Sequence, residues 1–259
     1  ERMETTQMKK KKSPKMIYIS LLILALMGSL AAGGTVFYEN ICYSADQTAL
    51  KAMEAEPATK VYEVDEGWLF DGPGTEKAMI FYPGAFVEAQ AYAPLMQDLA
   101  DQGLDCFLVK MPLKFALLGK DKAQKIIEGD RSDYQQWYMG GHSLGGVAAS
   151  MFAGKHLYEI DGSSLLASYS TVPLHKPGFE AITLYGSEDH VLHVDQMEKN
   201  KDNLPENSPV IEIAGGNHAQ FGDYGVQKGD GMASISAKEQ QSTAAQEILK
   251  AFHVTDAQE

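Results

Sequence analysis

From residue 61 onward, short apolar runs rich in aromatic and β-branched residues alternate with stretches whose apolar positions recur every three or four residues. The first kind has the length of a buried strand and the second buries one helical face, so the alternation predicts a parallel sheet with crossover helices. Residues 61–64 and 68–70 lie close enough for an opening hairpin, and residues 78–82 form a strand stopped by Pro83 and Gly84. Leu95, Leu99 and Ala100 share a helical face, with Pro94 suited to the first turn and Gly103 to the stop. A second core strand follows at 106–109, a third at 136–140, and a small-residue helix at 147–155. Residues 165–169, 181–185 and 210–213 supply three more strands. Ser236 with Glu239 three positions later makes a capping box for a last helix carrying Ile248, Leu249 and Phe252. The expected class is α/β: a doubly wound, mostly parallel sheet with helices on both faces. Residues 171–179 between two late strands are too few for more than a minimal lid.

Upstream the pattern changes. Lys9 to Lys12 and Lys15 precede 23 uncharged residues, 16–38, almost wholly apolar from 17 to 30. A helix crosses a hydrocarbon core of about 30 Å in roughly 20 residues, and flanking lysines stay in the cytoplasm. The organisation expected is a basic cytoplasmic N-terminus (1–15), a transmembrane signal-anchor (16–38), a polar, alanine-rich linker (39–60) and one domain (61–259), held outside the cell membrane by a single pass. The same charge order with small residues near 29–32 also suits a cleaved signal peptide, which would leave a secreted domain.

The net charge of −13 hides a split: residues 1–37 carry six lysines or arginines against two acids, the remainder 16 against 33. So acidic a body is repelled by phosphate backbones, which excludes nucleic acid as a partner. Two cysteines, Cys42 and Cys106, are too few for a disulfide framework, and Cys106, at the start of a core strand, acts as a small buried hydrophobe.

Within this frame Gly141, Ser143 and Gly145 form a G-x-S-x-G elbow between an expected strand and an expected helix. Glycines at those positions permit the tight turn that lifts a serine hydroxyl above the sheet edge. A serine hydroxyl is a weak nucleophile, so it needs an imidazole to take its proton, an acid to orient that imidazole and fixed donors for the oxyanion. The acid belongs after a later strand, where Asp189 is the choice, with Glu188 and Asp195 as competitors. The base belongs after the last strand, where His218 stands among glycines. One oxyanion donor is the backbone N–H of Leu144. The other comes from residues 83–86, where proline has no N–H, leaving Ala85 with Phe86 as alternate. His190 and His193 lack the clustered acids or cysteines of a metal site, so no metal or other cofactor is expected. Residues 111–118, apolar after a core strand, suit either the lining of an acyl pocket or a buried connecting helix.

These motifs resemble the α/β-hydrolase fold-5 family of bacterial proteins, relatives of the dienelactone-hydrolase and lipase-like groups. The resemblance spans about residues 61–253 and is carried by Tyr82, Pro83, Gly84 and Ala85, by residues 140–146 and 184–189, and most distinctively by residues 215–225. It implies an α/β-hydrolase fold, hydrolase activity, a triad of Ser143, Asp189 and His218, and no cofactor. Pro83 stands where many α/β-hydrolases carry a histidine. The function expected is a serine hydrolase cleaving an ester or related acyl bond of a small-molecule or lipid substrate. The alternative is an inactive, membrane-presented binding or scaffold module of the same fold.

Overall fold

The computed structural model describes residues 34, 36, 38–54, 58–129 and 134–254. The chain divides into two compact units, Glu1–Cys42 and Tyr43–Glu259. Among the described residues no helix is long and apolar enough to cross a membrane. The transmembrane helix expected over residues 16–38 lies outside the described residues, apart from 34, 36 and 38, and gains no support from the structure.

The second unit is built on eight strands: β1 Lys60–Val64, β2 Gly67–Asp71, β3 Lys77–Tyr82, β4 Asp105–Val109, β5 Gln136–His142, β6 Gly162–Leu166, β7 Glu180–Gly186 and β8 Val210–Ile213. Among its described residues six α-helices accompany them: α1 Gln47–Lys51, α2 Ala93–Ala100, α3 Lys122–Ile127, α4 Leu144–Lys155, α5 Val194–Asn200 and α6 Ala237–Ala251. The strands lie in the order β1-β2-β4-β3-β5-β6-β7-β8. The β1–β2 hairpin joins through an antiparallel β2–β4 pairing, and all remaining pairs are parallel.

Side chains alternate across a pleated strand, so a sheet covered on both faces needs an apolar residue at nearly every position. In β3, Met79 and Phe81 enter one core and Ala78, Ile80 and Tyr82 the other. Cys106 and Leu108 of β4 oppose Phe107 and Val109 in the same way. Leu95 and Leu99 of α2 and Ile248 and Leu249 of α6 close the first core, while Ala148, Ala149 and Phe152 of α4 close the second. Helices therefore cover both faces, as expected.

The chain runs from β3 outward to β4, then returns to the other side of β3 to form β5. That reversal makes the carboxyl ends of β3 and β5 the topological switch point, the place where open α/β sheets bind ligands.

Three segments differ from the sequence expectation. Strand β6 begins at Gly162, three residues earlier than expected, and ends at Leu166 because Ala167 adopts φ 45°. Its polar Ser163 and Ser164 are buried, which hid the strand from a hydrophobicity reading. Residues 43–54, expected within a linker, pack on the body instead. Tyr43 pairs with Val87, Asp46 caps α1 through the N–H groups of Thr48 and Ala49, and Ala49 is fully buried. Residues 111–118 form two 3-10 turns in place of a helix, with Leu113 and Lys114 at positive φ. Met111 and Ala116 are buried there, whereas Leu113 remains 66% exposed.

Candidate active site

Ser143 follows the last residue of β5 and precedes the first of α4, at φ 53° and ψ −126°. A non-glycine residue rarely occupies that region, and such strain persists only where the surroundings over-determine it. Here they do: the Ser143 N–H donates to the Leu166 carbonyl at 2.9 Å, and Ser168 Oγ donates to the Ser143 carbonyl at 2.7 Å. The elbow also needs its glycines. A Cβ on Gly141 would sit 2.6 Å from backbone atoms of Gly145 and Gly146, and one on Gly145 would sit 2.1 Å from the Tyr82 carbonyl oxygen.

Asp189 lies just past the carboxyl end of β7. Its Oδ1 accepts the N–H groups of Val191 and Leu192 at 2.9 and 2.8 Å, and its Oδ2 stands 2.9 Å from His218 Nδ1. Both side chains are only 1% exposed. The carboxylate can only accept, so Nδ1 carries the proton and Nε2 is left as the acceptor. That Nε2 is buried and meets no partner among the described residues, so no hydrogen bond closes between it and Ser143. Of the competing acids, Glu188 accepts from Ser187 Oγ and Asp195 pairs with Lys199, so neither side chain engages His218.

A buried frame that sequence reasoning missed supports the histidine. Gln240 of α6 accepts the Asn217 N–H at 2.9 Å and donates to the Asn217 carbonyl at 2.7 Å. Asp230 accepts the N–H groups of His218 and Ala219 at 3.3 and 2.9 Å. Gln240 offers a signal in retrospect: it is a polar residue on the apolar face that also presents Ala244 and Ile248. Asp230 offers none, because its partners are backbone groups eleven and twelve residues away.

The loop expected to supply an oxyanion donor, residues 83–86, rests on the start of α4, where Gly145 lets the Tyr82 and Pro83 carbonyls approach. Leu144 opens α4, so its N–H is one of the unsatisfied donors at a helix N-terminus. The Phe86 N–H, the alternate second donor, is consumed by the Lys114 carbonyl at 2.7 Å. Ala85 keeps its N–H without an acceptor among the described residues.

Behind the site His142 is buried, its ring 4.5 Å from that of His218 and its Nδ1 2.8 Å from the Tyr92 hydroxyl. Burial pushes the His142 imidazole well below its ordinary pKa. The neighbouring His218 ring adds to this, and the His218 backbone opposes it. The ring is therefore neutral near pH 7.

This topology, with an antiparallel strand beside β4 and a serine raised at the end of β5, is that of the α/β-hydrolases. A family model described as the alpha/beta hydrolase family matches residues 78–242, and the chain belongs to that family. Curated proteins include no match to the sequence. Among solved structures, the chain is similar to a dienelactone hydrolase from Anabaena variabilis, with 13% identity and TM-score 0.57 over 76% of this chain and 98% of that one. It is similar to TT1662 from Thermus thermophilus, with 14% identity and TM-score 0.54 over 76% and 98%. It is also similar to Est1E from Butyrivibrio proteoclasticus with ferulic acid bound, with 10% identity and TM-score 0.55 over 75% and 96%. At these identities the likeness is one of fold.

Proposed function

We propose that this chain is a serine hydrolase that cleaves an ester or related acyl bond through Ser143, His218 and Asp189. The observation that carries the reading is the buried His218–Asp189 pair at 2.9 Å, with Nε2 of the same ring unpartnered among the described residues. Nε2 takes the Ser143 hydroxyl proton as the oxygen attacks the acyl carbon. The Leu144 and Ala85 N–H groups receive the negative charge on the former carbonyl oxygen, and Asp189 steadies the imidazolium. Nε2 then returns the proton to the departing alkoxide. Water, deprotonated by the same nitrogen, then attacks the acyl carbon, and Nε2 gives that proton to the departing Ser143 oxygen as the acid is released. Every group involved belongs to the chain, so the scheme needs no cofactor.

The reading extends to location. Lysines at 9–12 and 15 followed by the uncharged stretch 16–38 support a single-pass tether with the hydrolase domain outside, within reach of small-molecule or lipid esters. Resistance of the full chain to carbonate extraction from membranes checks the tether, and release into the soluble fraction favours the cleaved, secreted form.

The chemistry is tested by labelling the protein with a fluorescent fluorophosphonate, comparing wild type with Ser143→Ala and His218→Ala. An adduct on Ser143 that both substitutions abolish is the expected result. A folded wild-type protein that takes no label overturns the scheme in favour of a non-catalytic binding module of the same fold.

A further inference from the structure

Tyr92, the last residue before α2, is wholly buried, and its hydroxyl lies between two parts of the site that are distant in sequence. The oxygen accepts the Gly84 N–H at 3.1 Å, on the loop that carries Ala85. It also stands 2.8 Å from Nδ1 of His142, the residue before Ser143. Burial holds the Tyr92 phenol above its ordinary pKa and the His142 imidazole below its own, so both are neutral through the range in which an esterase works. A neutral phenol has one proton to give. Its oxygen accepts from Gly84, and the contact with His142 Nδ1 closes with either group as the donor, according to the tautomer of the ring. The junction is closely fitted: a Cβ on Gly84 would lie 2.8 Å from His142 Nδ1 and 2.9 Å from the Tyr92 oxygen.

We propose that Tyr92 is a positioning residue for acyl transfer, whose hydroxyl ties the loop after β3 to the elbow after β5 and so sets where the Ala85 N–H stands relative to that of Leu144. The two expected oxyanion donors sit on these different loops. The Gly84–Tyr92–His142 bridge spans them one residue away from Ala85 on one side and from Ser143 on the other. Without the bridge, the elbow keeps its own bonds to Leu166 and Ser168, and the His218–Asp189 pair is untouched. The loss should therefore fall on the donor from the loop. The proposal rests on the serine-hydrolase reading above.

The test is Tyr92→Phe, which keeps the ring packed against Phe81 and removes only the hydroxyl. Turnover is measured on 4-nitrophenyl butyrate and on its thiono analogue, in which sulfur replaces the carbonyl oxygen. Sulfur accepts hydrogen bonds poorly, so an intact oxyanion site favours the oxygen ester strongly and a displaced donor narrows that preference. Tyr92→Phe is expected to lower kcat on the oxygen ester by about tenfold or more with KM little changed, and to shrink the oxygen-to-thiono ratio. The fluorophosphonate should still form its adduct on Ser143. Tyr224→Phe, which removes a buried hydroxyl bonded to Gln227 beside the Tyr92 ring, should leave the ratio at the wild-type value. An unchanged kcat in Tyr92→Phe overturns the proposal. So does a lower kcat with an unchanged ratio, which would make the hydroxyl a packing element only. Absence of wild-type turnover and labelling instead sinks the serine-hydrolase reading itself.

Discussion

Gln240 holds both backbone groups of Asn217, the residue before His218, and is itself fully buried on α6. A terminal helix thus fixes the main chain of the candidate base from beneath. Replacing Gln240 by leucine leaves a buried N–H and a buried carbonyl without partners, each costing about 1–3 kcal/mol. Urea unfolding of Gln240→Leu should show a loss of about 2–5 kcal/mol, and the folded fraction should turn over ester more slowly. Unaltered stability would mean that water replaces the clamp.

Asp189→Asn tests the orienting role proposed for the acid. An amide can present an N–H to His218 and stabilise the opposite tautomer, with the proton on Nε2. Ester turnover should fall by about 10⁴-fold while circular dichroism stays that of the wild type. A loss under tenfold would assign the acid's role to another group.

Ser143 stores backbone strain that glycine would relieve. Ser143→Gly should raise stability by about 1–3 kcal/mol in denaturant titrations while abolishing fluorophosphonate labelling. A destabilised Ser143→Gly would show that the hydroxyl contributes more to folding than the backbone conformation costs.

The depressed pKa of His142 makes a prediction about acid stability. The unfolded chain protonates this imidazole near pH 6.5, but the buried ring in the folded state resists until a lower pH. The unfolded state therefore binds more protons in that window, and stability falls as pH drops below about 6.5 toward the depressed value. Unfolding free energies of wild type and His142→Gln, measured from pH 7.5 to 5, should converge as pH falls. The raised carboxyls Asp98 and Asp223 are present in both proteins and cancel in that difference.

The legible parts of the site are those whose geometry is local. The elbow is legible because a strand-to-helix turn at positive φ constrains consecutive residues, so Gly141, Ser143 and Gly145 appear together in the chain. Asp189 and His218 could be picked out by their places after β7 and β8, and the structure sets them 2.9 Å apart. Hidden residues act through backbone groups far along the chain: Tyr92 on Gly84, Asp230 on His218, Gln240 on Asn217. A hydrophobic period marks only Gln240, as a polar residue on an apolar helical face, and leaves Tyr92 and Asp230 unmarked. The register of β6 was missed for a related reason. Its first position must be glycine, since a Cβ on Gly162 would lie 2.2 Å from the Glu180 carbonyl oxygen, and buried Ser163 and Ser164 read as polar loop.

The strand-like pairing of Tyr43 with Val87 has a mechanical side. The Tyr43 N–H donates to Phe86, its carbonyl accepts from Glu88, and its hydroxyl accepts the Lys228 N–H. Tension on the backbone ahead of Tyr43 is borne first by these few bonds, before any strand of the sheet feels it. The segment they brace directly adjoins Ala85, so a pull that leaves the eight strands intact would be felt first at the loop proposed to hold the oxyanion.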